Sequence, residues 1–404
     1  MVGAAVCQDA SIRHFLDNAT SPPTDDMVRR GNPANRQQNA VLLIATDEAG
    51  YGPKLGPLVV AATAWAISSE AAEPSNPGGR SKSGTARSGA TVVVEPDAVN
   101  AGDDFDAAFA GLRQPVQIGK LKIKVDDSKA VFKPGGGLAV LHAVVSASHH
   151  WCGRQPTDMA DLLTQIAADD LAAIQQTPWF SDLGDEAFLA TEQTSAVIQS
   201  WQSAVPSAGT SAQVSASSPA ATLHDVQARV LTAAEFNRRC QRGYNKADLL
   251  SETTIGLVRD MIARHGDGVA EIHVHCDRHG GRRYYSGVLQ HVFPDAQVQV
   301  RTESKGISAY RMTLDRGGQI QTVEIDFKVK GDSFTPVALA SMHAKYLRER
   351  MMNAFNAYFA GHYPPGQVYR PTAGYPVDAD RFLQDAAATI RRLGIDNATL
   401  VRSR

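Results

Sequence analysis

The chain has 404 residues, 43% apolar and 20% charged, a composition that suits a globular protein with material for a large core. Its formal net charge of −2 neither requires nor excludes nucleic acid. A near-neutral protein that binds a polyanion has to gather its basic residues on one face. Basic runs occur at 120–124, at Arg282 and Arg283, and at Lys345 with Arg348 and Arg350, but each alone reads as a solvated face. The four cysteines, at positions 7, 152, 240 and 276, have no paired spacing, so free thiols in a reducing compartment are expected. The first residues lack a basic and then apolar leader, and no run reaches about 18 apolar residues. A cytoplasmic protein without a membrane span is expected.

Residues 1–38 are polar and rich in Asn, Arg, Asp and Pro, and read as a disordered lead. Residues 41–45 form a short continuous apolar run, the pattern of a buried strand. A turn rich in Gly and Pro follows at 50–57, and 58–65 reads as a second strand that completes a hairpin. Two tracts rich in small and polar residues, 68–90 and 203–222, look like linkers within insertions at about 66–118 and 133–240. Between them, helical patterns cover 138–148 and 158–176, the second with Met159, Leu162, Leu163 and Ile166 on one face. Further on, 245–265 reads as a helix, 272–276 as a strand and 298–301 as another. Residues 323–329 alternate strictly, the mark of a half-exposed strand. Helices are predicted over 336–359 and 378–393, with Asp378 as N-cap of the last. The order implies an α/β chain around a mixed sheet of five strands, with helices at its C-terminal end.

Asp47 and Glu48 stand where the first strand meets its turn, in Thr46-Asp47-Glu48-Ala49-Gly50-Tyr51-Gly52-Pro53. Neighbours on a regular strand point to opposite faces, so both acids serve one site only if the chain bends. Gly50 and Gly52 make a bend cheap and let the backbone approach a ligand. A dinucleotide-binding turn is excluded, because a strand follows rather than a helix, prolines interrupt it, and two anions would repel a pyrophosphate. Asp277 directly follows the strand 272–276 and shares a face with His273 and His275. With Cys276 and His279 nearby, zinc is conceivable, but no second ligand pair at zinc spacing exists. Asp332 lies between the alternating strand and the long helix, where a turn or N-cap aspartate is the plain reading.

Taken together these segments resemble ribonuclease HII. The resemblance rests on Asp47-Glu48-Ala49-Gly50 with Gly56-Pro57 leading into a strand, Asp127-Ser128-Lys129, and a strand ending at Asp277. It continues with Lys330-Gly331-Asp332 before a helix with Ser341-x-x-Ala344-Lys345, and with Gly374-Tyr375 before a last helix. It covers roughly half the chain, 41–65, 120–132, 245–278 and 323–393, with the elements in family order.

The resemblance implies a ribonuclease H-like fold with large insertions, acting as a monomer on RNA–DNA hybrids or on ribonucleotides embedded in DNA. It implies two Mg²⁺ or Mn²⁺ ions held by Asp47, Glu48, Asp277 and Asp332, one activating water and one stabilising the leaving oxygen, with 5′-phosphate and 3′-hydroxyl products. Tyr375 matches a tyrosine that packs on the sugar after the junction. The backbone at Gly50 and Gly52 is placed to read a 2′-hydroxyl. Ser128, Lys129 and Lys345 are candidates for substrate contact, the lysines for phosphate. Two departures bear on the substrate. Tyr51 stands where the family has arginine, an aromatic in place of a guanidinium. Asp277 is followed by Arg278 where the family has glycine. Two other readings therefore stay open: a related nuclease with another nucleic-acid substrate, and a catalytically inactive nucleic-acid-binding protein.

Overall fold

A computed structural model describes residues 40–68, 105–106, 108–132, 137–184, 187–203 and 220–403. The lead expected over 1–38 lies outside them, as do nearly all of the tracts 68–90 and 203–222.

The strands are β1 (Ala40–Ala49), β2 (Leu58–Ser68), β3 (Val116–Ile118), β4 (Leu121–Ile123), β5 (Ala220–Leu231), β6 (Glu271–Asp277), β7 (Gln297–Glu303), β8 (Ile307–Arg316) and β9 (Gln319–Lys328). Seven of them form one sheet in the order β5-β2-β1-β6-β9-β8-β7, and β3 and β4 pair separately. β1 and β2 are the expected antiparallel hairpin. β1, β6 and β9 run parallel, and the outer pairs are antiparallel. The sheet is thus mixed, as expected, but has seven strands rather than five. The two additions are β5, whose first residues belong to a tract rich in small residues, and β8, whose buried face begins on Ser308.

Four helices matter for the site: α1 (Ser128–Val131), α2 (Gly137–Trp151), α3 (Lys246–His265) and α4 (Thr335–Gly361). Both faces of the central strands are covered, which explains the continuous apolar run of β1. Leu43 and Ala45 belong to one core, which α4 and α2 help to build, and Leu42 and Ile44 to the other, built with α3. The first core also takes in residues of the expected insertions. Trp65 stacks edge-on against Phe109 at 5.0 Å and Trp151 at 5.7 Å, and Trp179, Phe180 and Trp201 are buried in the same core.

Some boundaries differ from expectation. The helix predicted over 158–176 is Met159–Ile166, capped by Asp158, followed by a 3-10 turn and Leu171–Gln175. The last helix is two, Pro376–Asp385 and Ala387–Arg392, and Asp378 is not its N-cap. Asp378 instead accepts hydrogen bonds from Thr372 Oγ1 (2.6 Å) and the Ala373 N–H (2.8 Å), tying the preceding loop to the first helical turn. Arg348 and Arg350 do not lie on a solvated face: both are buried on α4. Among the described residues no helix is long and apolar enough to cross a membrane.

Candidate metal centre

The acidic residues meet at the carboxyl ends of the two parallel central strands, where open α/β sheets commonly bind ligands. Thr46 pairs with Cys276 in the last register of β1 with β6, so Asp47 and Asp277 leave adjacent strands side by side. β1 stays paired with β2 through Ala49, and only then does Gly50, at φ +91°, turn the chain. Each of Asp47, Glu48 and Asp277 offers a carboxylate oxygen within 4.8 Å of the other two. Asp332 lies on the 3-10 turn Gly331–Ser333 between β9 and α4, and its charge acts on both Asp47 and Asp277. Lys330, just before it, adopts the left-handed conformation at φ +59°, and the Gly331 N–H donates to Asp277 Oδ1 over 2.7 Å. The tight turn that presents Asp332 is thereby fastened to the end of β6.

The electrostatics are those of acids crowded without a cation. Burial, then the charge of Asp277, push the Asp47 carboxyl up to about 7, against hydrogen bonds from Ser341 and the Glu48 N–H. Burial and the charge of Asp47 push Glu48 well above the usual carboxylate range, while Lys129 pulls it down. Asp277 is raised by burial and by Asp332, and lowered by the N–H groups of Gly331 and Arg278. Desolvation and like charge both disfavour the ionised form, and a bound cation relieves both. The donor set is all oxygen, which suits a hard divalent ion such as Mg²⁺ or Mn²⁺.

The conceivable zinc set does not assemble. His273 Nε2 lies 2.7 Å from Glu271 Oε1, His275 Nδ1 lies 2.6 Å from Asp326 Oδ2, and His279 Nδ1 lies 3.0 Å from Ser251 Oγ. Among the described residues the group of Asp47, Glu48 and Asp277 is the one set of three or more with metal-ligand geometry.

The other predicted residues fall into two groups. Gly52 is exposed and faces the Tyr375 ring, whose nearest atom would lie 3.6 Å from a Cβ placed there. Tyr375 itself is 51% exposed, with the Arg348 guanidinium 5.8 Å from its ring centroid. Tyr51 turns the other way, against Gly280, with Lys246 Nζ 4.4 Å from its centroid. Lys129 is exposed at the start of α1, near enough to act on both Glu48 and Asp277. Ser128 is buried, its Oγ 3.0 Å from Ser341 Oγ, which links α1 to α4. Lys345 is engaged: it pairs with Glu349 at 2.9 Å and lies 4.5 Å from the Phe132 ring centroid.

No family model and no curated protein matches this chain. Solved structures do. Bst-RNase HIII in complex with Mn²⁺ is 14% identical over 95% of this chain and 72% of its own, with a TM-score of 0.32. Ribonuclease H2 from Pyrococcus horikoshii OT3 is 12% identical over 89% of this chain and 92% of its own, with a TM-score of 0.35. RNase HII of the PCNA complex from Archaeoglobus fulgidus is 12% identical over 90% and 95%, with a TM-score of 0.32. At this level of likeness, what the acidic cluster does has to be argued from its own atoms.

Several residues around the centre carried no individual signal. Ser341 lies close enough to Asp47 to lower its carboxyl, within the Ser-x-x-Ala-Lys element whose lysine carries the sequence signal. Arg113 donates to Thr335 Oγ1 (2.8 Å) and to the carbonyls of Asp332 and Ser333, and pairs with Asp126, so it joins the Asp332 turn to the segment before α1. Nothing in the sequence around Arg113 marks it.

Proposed function

We propose that this protein is a divalent-cation-dependent nuclease of ribonuclease H type. It hydrolyses the RNA strand of RNA–DNA hybrids, or ribonucleotides embedded in DNA. The observation that carries the proposal is the convergence of Asp47, Glu48 and Asp277 at the ends of two parallel strands, with Asp332 close enough to act on Asp47 and Asp277.

Asp47, Glu48, Asp277 and Asp332 would hold two Mg²⁺ or Mn²⁺ ions. When bound, such ions supply Lewis-acid stabilisation of charge on the phosphodiester oxygens. The chain's own groups bind and orient the substrate. Lys129, exposed beside the acids, takes a phosphate oxygen. Tyr375 offers an exposed ring face to a sugar, and a side chain on Gly52 would stand in front of that ring. A sugar without a 2′-hydroxyl packs best on the ring, and backbone groups at Gly50 and Gly52 select the ribose before it. Tyr51 stacks or donates one hydrogen bond, so ribose selection falls to the backbone.

The test is cleavage of three end-labelled duplexes in Mn²⁺: one with a single ribonucleotide, one RNA–DNA hybrid and one all-DNA. Wild type should cut the first two and spare the third, and Asp332→Asn should lose at least a hundredfold in rate. Equal cutting of the all-DNA duplex would overturn the ribonucleotide assignment. No cutting of any duplex would overturn the nuclease.

A further inference from the structure

The turn that follows the acidic pair is held by the last described residues of the chain. Arg402 Nη2 donates to the carbonyl of Gly50 at 2.7 Å and to that of Pro53. The Arg402 N–H donates to the Lys54 carbonyl at 2.9 Å, and Val401 bridges Leu55. The segment is anchored from behind by Asn237. Its Nδ2 donates to the carbonyls of Ala398 and Val401, both at 2.7 Å, and its Oδ1 accepts from the Ser403 N–H at 2.6 Å.

Burying a guanidinium is expensive unless something is gained. Arg402 is 3% exposed, and among the described residues no carboxylate acts on it. Its Nε and Nη1 have no hydrogen-bond partner, its guanidinium lies 5.3 Å from the Phe236 ring centroid, and the charge acting on it is the like charge of Arg348. Its side-chain hydrogen bonds go to the carbonyls of one turn. That turn has little room to vary: a Cβ at Gly50 would lie 2.5 Å from the Pro57 carbonyl oxygen and 2.8 Å from Arg348 Nε. Opposite it, Arg348 Nη2 donates to the Ala373 carbonyl at 2.8 Å, and the Gly374 carbonyl accepts from the N–H groups of Lys54 (2.8 Å) and Leu55 (3.2 Å). The two buried arginines thus hold the two loops that bring Gly52 to Tyr375.

We infer that Arg402 is a positioning residue, whose guanidinium holds the turn 50–53 in the shape that sets Gly52 against Tyr375. It touches neither the acids nor a substrate. Its effect on cleavage rests on the function proposed above, whereas its effect on the turn does not.

The test compares the full chain with Arg402→Met and Arg402→Lys by hydrogen–deuterium exchange and by cleavage of the single-ribonucleotide duplex. Arg402→Met should speed exchange of the Lys54 and Leu55 amides at least tenfold and leave the β1 and β6 amides unchanged. It should lower kcat/KM about tenfold or more with Mn²⁺ affinity unaltered. Arg402→Lys, which keeps the charge, should fall between. Wild-type exchange at Lys54 and Leu55 in both variants would overturn the inference, as would an acceleration spread evenly over the sheet. If Arg402→Met fails to fold, Arg402→Lys decides by the same criterion. Local exchange effects in a wild type that cuts nothing would uphold Arg402 and sink the nuclease.

Discussion

Gly331 lies directly against Asp277. Its N–H donates to the Asp277 carboxylate, and a Cβ built on it would come within 2.9 Å of the Asp277 Cα and 3.1 Å of its nitrogen. The obstacle is backbone, which cannot swing aside as a side chain can. The turn bearing Asp332 can therefore close on the strand bearing Asp277 only while position 331 has no side chain.

Gly331→Ala should push that turn outward and separate two of the four acids. We expect at least tenfold weaker Mn²⁺ binding, read by calorimetry, and destabilisation of about 1–3 kcal/mol, the range for overpacking, read by urea unfolding. Unchanged binding would mean that Asp332 is not part of the centre.

The crowded acids set the pH dependence of the cation-free protein. The Asp47 carboxyl rises from an ordinary 3.8 to about 7 on folding, so the folded state holds its proton more tightly than the unfolded one. Stability from this group is complete below pH 3.8 and is lost as pH rises through 7. In EDTA, Asp47→Asn should therefore melt higher than wild type at pH 8, with a narrower gap at pH 5. Adding Mn²⁺ should restore the wild type and reverse the order. A wild type that melts alike at both pH values in EDTA would contradict the picture of uncompensated acids.

A second group titrates with the opposite sign. His149 and His343 are fully buried, with ring centroids 5.4 Å apart, and both nitrogens of His149 and Nε2 of His343 lack partners. Burial holds His149 well below 6.5 and His343 down at about 4. The unfolded chain takes up these protons first, so stability is complete above pH 6.5 and lost as pH falls towards 4. His149→Leu removes two orphaned nitrogens, worth about 1–3 kcal/mol each when unpaired. It should raise the urea midpoint more at pH 5 than at pH 7.5, and an equal or smaller gain at pH 5 would refute this.

How far the sequence carried the structure depended on where each signal was stored. Asp47 and Asp277 could be marked as candidates because each follows a short apolar strand, whereas Asp332, a plain turn aspartate by local pattern, is marked by the family resemblance of Lys330-Gly331-Asp332 before a long helix. Local pattern holds the strand ends, and the resemblance joins them into one site. β8 escaped because its buried face runs Ser308, Tyr310, Met312, so the alternation opens on a hydroxyl. β5 escaped because it emerges from a tract that resembles a linker. Arg348 read as solvated because a charge near others on a helix usually is, yet its guanidinium is spent on the carbonyl of Ala373, 25 residues away. Arg402 is the extreme case, bonded to Gly50 across 352 residues. Contacts at that separation leave no local periodicity to read.

The central claim is that Asp47, Glu48 and Asp277, with Asp332, bind divalent cations. Titration of Mn²⁺ into the wild type, Asp47→Asn and Asp277→Asn by calorimetry at pH 8 tests it most directly. Wild type should bind two ions, and each variant should lose at least tenfold in affinity or one ion outright. Wild-type affinity and stoichiometry in both variants would show that the cluster is not the metal centre.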